Sequence, residues 1–280
     1  MRNRYSSILC GTMLVLAVAA SAQTLKPGVA TVARIQGEAR YSLGDGRWHP
    51  LVVGKMLGAG AVLQTAHDAT VDVVLGKTVE MPQAAPVPDR IAPAPDANVR
   101  GLISYKPSVE QNMVRLTGDT VLAIDKLTVS DTGLDAVSDT ELDLKQGRIF
   151  ASVKKLSAAS QYLIKIPNGI AGVRGCVIGI DASGWCAVIK DPLAPLSHKG
   201  ALLLSIIGPN GVPTTYQVEE GNQFTPQTGQ ISPVPSELLG LFQQISLALD
   251  TAYLEIVSFE YNQSLCFISP IHRPPKFPRG

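Results

Sequence analysis

Tyr162 to Ile189 reads YLIKIPNGIAGVRGCVIGIDASGWCAVI, and the fold class follows from it. Tyr162 to Ile166 is an apolar run that stops at Pro167-Asn168-Gly169. Val177 to Ile180 and Cys186 to Ile189 are two more, on either side of Ala182-Ser183-Gly184. Each run is too short for a helix and is closed by Gly, Pro or Asn, which is the signature of strands and turns. The last two runs read as the arms of a hairpin. Counting outward from its turn, Cys186 faces Ile180 or Asp181 and not Cys176.

The same pattern extends both ways. Toward the C-terminus, Leu202 to Ile207 and Thr214 to Val218 flank Gly208-Pro209-Asn210-Gly211. Toward the N-terminus, Thr140 to Leu144 alternates, and Gln146-Gly147 then turns the chain into Ile149 to Val153. Asn112 to Val129 carries a turn at Thr117-Gly118-Asp119. Thr70 to Leu75 places Val71, Val73 and Leu75 on one face and Thr70, Asp72 and Val74 on the other. Ala61 to Thr65 and Trp48 to Val53 are extended, and Gly44-Asp45-Gly46 is a hairpin turn. In Val29 to Tyr41, period two puts Val29, Thr31, Ala33 and Ile35 on one face, and Gly37 breaks the run. The chain is therefore all-β, a sandwich- or solenoid-like array of short strands. One helix follows, capped by Ser236 after Pro235. Leu238, Leu239, Leu241, Phe242, Ile245, Leu249 and Tyr253 give it an apolar stripe that can dock on the β domain.

The ends and one internal stretch depart from this pattern. Arg2 and Arg4 precede the apolar Ser7 to Ala20, and Ala20-Ser21-Ala22 is a small-x-small cleavage pattern. Residues 1–22 read as a signal peptide, with a mature chain from Gln23 that is periplasmic or secreted and has no stable membrane span. Losing the two arginines takes the formal charge from +1 to −1, so no basic footprint for nucleic acid exists. Residues 23–232 form the β domain. Within it, residues 81–98 carry five prolines and read as a solvated insertion. Residues 233–268 hold the helix and an extension, and the basic, proline-rich 269–280 is a flexible tail.

Candidate chemistry is sparse. The four histidines, His49, His67, His198 and His272, are scattered, and no HExxH, GxSxG or Walker loop occurs. His67-Asp68 beside Thr65 looks like a triad fragment, but neighbours on a strand face opposite ways. Asp125, Asp131, Asp135, Asp139, Glu141 and Asp143 form an acidic run whose spacing fits no calcium loop. Cys176, Cys186 and Cys266 match neither a zinc ribbon nor a CxxC site. The expectation is a chain without catalytic, cofactor or metal site.

Glu38-Ala39-Arg40-Tyr41, Trp48, Pro50-Leu51, Gly54, Leu57, Gly60 and Gln64-Thr65 resemble the opening of a FecR-like domain. Thr140 to Leu144, Gln146-Gly147-Arg148, Val153-Lys154 and Ile166-Pro167 continue the likeness. Gly169 to Gly175, GIAGVRG, resembles the family's most specific motif, although Cys176 stands where threonine is usual. Gly221-Asn222-Gln223-Phe224 is similar to its closing strand. The resemblance implies an exported, non-catalytic all-β module. Founding members relay the occupancy of an outer-membrane receptor to a cytoplasmic sigma factor. That role needs a cytoplasmic segment, and only about six residues precede the apolar run. What carries over is binding of a protein or envelope ligand, with a structural role in the envelope as the alternative. Arg174, between Gly172 and Gly175, is the candidate residue. Glycines there permit positive φ or close backbone approach. The guanidinium can cap carbonyls, pair with a carboxylate or contact a partner.

Overall fold

The structure, a computed structural model, describes residues 25–77, 111–131, 136–154, 156–191, 200–208 and 210–265. The expected signal peptide (1–22), the proline-rich 81–98, the expected tail (269–280), Cys266, Asp135, His198 and His272 lie outside the described residues. In chain order the strands are β1 (Lys26–Pro27), β2 (Val29–Gln36), β3 (Ala39–Ser42), β4 (His49–Pro50), β5 (Met56–Leu57), β6 (Val62–Thr65) and β7 (Thr70–Gly76). Next come β8 (Asn112–Leu116), β9 (Val121–Asp131), β10 (Ala136–Gln146), β11 (Arg148–Ser152), β12 (Gln161–Ile166) and β13 (Gly169–Arg174). The last are β14 (Val177–Asp181), β15 (Cys186–Ile189), β16 (Ala201–Ile207), β17 (Pro213–Glu219), β18 (Asn222–Thr225) and β19 (Gln230–Pro233). Helix α1 (Ser236–Leu265) follows. The fold is all-β with one C-terminal helix among the described residues.

The strands form two sheets. A ten-stranded sheet runs β17-β16-β13-β12-β10-β9-β6-β3-β4, with β1 also on β9. A nine-stranded sheet runs β19-β18-β15-β14-β11-β8-β7-β2-β5. Both advance from the same N-terminal end, β4 and β5, to the same C-terminal end, β17 and β19. The chain crosses repeatedly between them, so β10 and β12 pair in parallel with β11 lying in the other sheet between them in sequence. This combines a sandwich with a solenoid-like winding. The turns at Thr117-Gly118-Asp119 and Gln146-Gly147 are therefore crossings from sheet to sheet. Ala182-Ser183-Gly184 does close a hairpin, with Cys186 opposite Ile180.

Successive corners are bonded to each other in a row. Ala66 N donates to Glu38 O (2.9 Å), Asp119 N to Ala66 O (3.1 Å), Thr117 N to Arg148 O (3.2 Å) and Ala182 N to Gly147 O (3.0 Å). Thr65 Oγ1 donates to Thr117 O (2.6 Å) and accepts from Thr120 N (3.0 Å). The stacking is so close that a Cβ on Gly118 would lie 1.6 Å from His67 O.

The core fills the space between the sheets. Val71, Val73 and Leu75 point into it, as expected, while Val74 faces outward. In β2 the inward residues are Ala30 and Val32. A register shift between Val32 and Arg34 then brings Ile35 to the same side, so the expected single face over Val29 to Ile35 is split. Cys176 and Cys186 are free thiols in this core. Burial pushes both up to about 12, so they stay protonated at neutral pH.

Helix α1 covers the outer face of the nine-stranded sheet. Phe242, Ile245, Leu249 and Tyr253 bury against Met113, Phe150 and Val177. Phe242 meets Phe150 edge to face at 5.1 Å and sits over Gly179, where a Cβ would lie 2.7 Å from its Cζ. Leu241 departs from the expected stripe and is exposed. The cap also differs from expectation. Leu239 N donates to Pro235 O (2.9 Å), so Pro235 occupies the cap and Ser236 the first helical turn. Among the described residues no helix is long and apolar enough to cross a membrane.

Candidate functional site

Strands β3, β4 and β6 meet at the N-terminal end of the ten-stranded sheet. Arg40 is opposite Gln64 on one side and Pro50 on the other. The two-residue β4 leaves the edge short, and Trp48 enters it directly from the Gly44-Asp45-Gly46 turn. Asp45 Oδ1 stabilises that turn by accepting from Arg47 N (3.0 Å). The result is an open cleft of about 770 Å³ lined by Glu38, Arg40, Trp48, His49, Gln64 and Thr65, among others.

Arg40 is fixed inside this cleft. Its guanidinium lies over the Trp48 ring at 4.6 Å. Nε and one terminal nitrogen both donate to Gln64 Oε1, at 2.9 and 2.8 Å. No carboxylate pairs with Arg40 among the described residues, so its charge is held in place without being neutralised. Leu43, Trp48, Val52, Val53 and Met56 are exposed on the segment between β3 and β5, with Val53 61% and Met56 56% accessible. The sequence marks Arg40, Trp48 and Gln64 only as carriers of the family resemblance. Their convergence needs the β3–β6 register, which no local pattern specifies. The local signal is an exposed tryptophan beside an Asp-Gly turn.

A second cleft, about 700 Å³, lies between α1 and the corner row and includes Arg148, Phe150, Asp181, Leu241 and Ile245. Arg148 stacks over Trp185 at 4.6 Å and donates to Asp181 Oδ2 at 3.2 Å. Asp181 Oδ1 accepts from Ser183 N, Ser183 Oγ and Trp185 N, which fixes the hairpin turn.

The remaining sequence candidates fall apart from these clefts. Gly175 has φ +58° and bends the chain from β13 toward β14. Gly172 needs neither positive φ nor close approach, because a Cβ there would meet only Leu163 Cδ2 at 3.6 Å. Arg174 is exposed, and its guanidinium makes one long hydrogen bond, to Ala158 O at 3.4 Å. It clamps no set of carbonyls and lines neither cleft. Cys176 Sγ lies 3.8 Å from Ala201 O.

His67 is exposed, and its hydrogen-bond partner is Asp119, whose Oδ2 lies 2.5 Å from Nδ1. The hydrogen bond to Asp119 and the attraction of its charge raise the imidazole above its ordinary value. Thr65 is committed to the corner network. Asp125, Asp139, Glu141 and Asp143 of the acidic run form an ion-pair ladder on the outer face of the ten-stranded sheet. Lys165 bridges Asp125 and Glu141 at 3.0 Å each, Lys126 pairs with Asp139, and Lys145 lies 3.3 Å from Asp143.

Two charged clusters lie against α1 or on its side of the fold. Arg115 binds buried Asp72 bidentately at 2.6 and 2.7 Å, with Arg34 at 4.0 Å. Lys154 Nζ reaches Asp191 at 3.1 Å and Asp250 of the helix at 3.5 Å. Burial raises the Asp250 carboxyl above its ordinary value, while the Lys154 charge pulls it back.

No family profile, curated protein or solved structure matches the chain.

Proposed function

We propose that this chain is an exported, non-catalytic FecR-like module that binds a protein or an envelope ligand, in a signalling role. Its binding end is the β3–β4–β6 edge. One observation carries the reading. An arginine with no ion-pair partner among the described residues and an exposed tryptophan line a cleft at the end of the fold where Leu43, Val52, Val53 and Met56 are also exposed. Exposed apolar side chains together with arginine, tryptophan and methionine are characteristic of interaction sites. The resemblance adds support, because Glu38, Arg40, Trp48, Pro50 and Gln64, on which it rests, all line this cleft. The export reading rests on the Ala20-Ser21-Ala22 pattern behind an apolar run.

The test is retention from envelope extract on immobilised Gln23 to Gly280, with wild type and Val53→Asp compared at equal load. Val53 is exposed, so the substitution leaves the fold intact. The expected result is a stoichiometric partner on wild type that is lost on the variant. Equal retention by both contradicts the assignment of this end.

A further inference from the structure

We infer that the Arg40–Trp48 cleft takes an acidic saccharide, with its carboxylate on Arg40 and its sugar hydroxyls on the polar rim. The inference rests on the binding role proposed above and names the ligand class. The molecule holds its own template. Arg148 stacks over Trp185 at 4.6 Å, and there a carboxylate of the chain, Asp181, completes the arrangement at 3.2 Å. Arg40 stacks over Trp48 at the same 4.6 Å, but its acceptor is the neutral amide oxygen of Gln64. The charge partner is the one component that no described residue supplies. Arg115 likewise has Asp72. Arg40 differs from these two in being oriented by stacking and a shared amide acceptor while keeping N–H donors free.

The cleft's other groups choose among anions. Glu38 lines the same space and has no ion-pair partner among the described residues. A negative charge there disfavours a dianion such as phosphate, yet it accepts hydrogen bonds from hydroxyls. The amide nitrogen of Gln64 and the His49 ring add further polar capacity. Trp48 remains 42% accessible and offers an apolar flat surface. A sugar ring that carries a single carboxylate and several hydroxyls and turns its apolar C–H face to Trp48 meets all of these, and about 770 Å³ is the volume of a small-ligand cleft. A uronic acid has that chemistry.

The experiment is calorimetric titration of Gln23 to Gly280 with tri-galacturonic acid, its methyl ester and inorganic phosphate. The ester keeps the rings and removes the charge. The expected result is saturable binding of the free acid, weakened about tenfold or more by esterification. Arg40→Gln and Arg40→Lys should each weaken it about as much, since lysine keeps the charge but loses the fork. Trp48→Ala should abolish it. Unchanged melting temperatures in these variants separate lost binding from lost folding. No binding at millimolar trisaccharide, equal binding of the ester, stronger binding of phosphate, or wild-type affinity in Arg40→Gln overturns the inference. If the trisaccharide fails while Val53→Asp still loses its envelope partner, the saccharide is wrong and the binding role stands.

Discussion

Asp250 brings a carboxylate into the helix–sheet interface, and pH exposes the consequence. Its value in the folded chain is raised, mainly by burial. The folded state therefore holds this proton more tightly than the unfolded state. The penalty is full above the raised value and disappears as pH falls toward the ordinary carboxylate range. Asp250→Asn is expected to raise the melting temperature at pH 7 by roughly 2–4 °C, the shift that about 1 kcal/mol gives in a domain of this size. The gain over wild type should shrink on acidification to pH 4, and thermal scans of both proteins across that range check it. The arginines sort in the same physical terms. Arg174 is exposed with one long hydrogen bond, so Arg174→Ala should change stability by less than about 0.5 kcal/mol. Arg115→Ala leaves Asp72 buried without its bidentate partner and should cost about 3 kcal/mol. Urea melts of the two variants separate these outcomes. The sequence singles out Arg174 by its glycine neighbours, but ion pairing depends on which residue lies across the sheet. Arg115 meets Asp72 through the β7–β8 register, 43 residues away in the chain.

Strands and turns were largely legible because period-two patterns and glycines are local. The hairpin at Ala182-Ser183-Gly184 and the inward set Val71, Val73 and Leu75 follow directly from residue spacing. Three features did not, each for a non-local reason. The bulge in β2 answers to pairing with β7 and moves Ile35 to the core side. The corners at Gly118 and Gly147 cross between sheets, and this is decided by their bonds to neighbouring corners, not by their own residues. The helix starts one residue earlier than expected because Pro235, which has no N–H of its own, still offers a carbonyl to Leu239. Helix docking depends on one hollow in the sheet. Gly179→Val would drive a side chain into Phe242 and Phe150, whose rings lie 2.7 and 3.0 Å from even a Cβ. The expected outcome is a lifted helix. Its measures are faster proteolysis within 236–265 and a melting temperature several degrees lower, with the β-sheet circular dichroism retained.

At the scale of the molecule, the two sheets advance together from a short-edged end to a longer-edged one. The outer face of the nine-stranded sheet is covered by α1, and the ladder of Asp125, Asp139, Glu141 and their lysines lies on the ten-stranded sheet. The β3–β5 end is where exposed apolar side chains and an unneutralised guanidinium coincide. All-β architecture was readable from the residues, whereas this coincidence required strands far apart in the chain to be placed side by side. The account's central claim is that this end makes the contact. Hydroxyl-radical footprinting of the complex captured from envelope extract tests it most directly, because Trp48 and Met56 are oxidisable and exposed there. The account predicts that partner binding protects Trp48 and Met56 and leaves Leu203 and Leu247, on other faces, as reactive as in the free chain. Protection of Leu203 or Leu247 with Trp48 and Met56 still fully oxidised would contradict it.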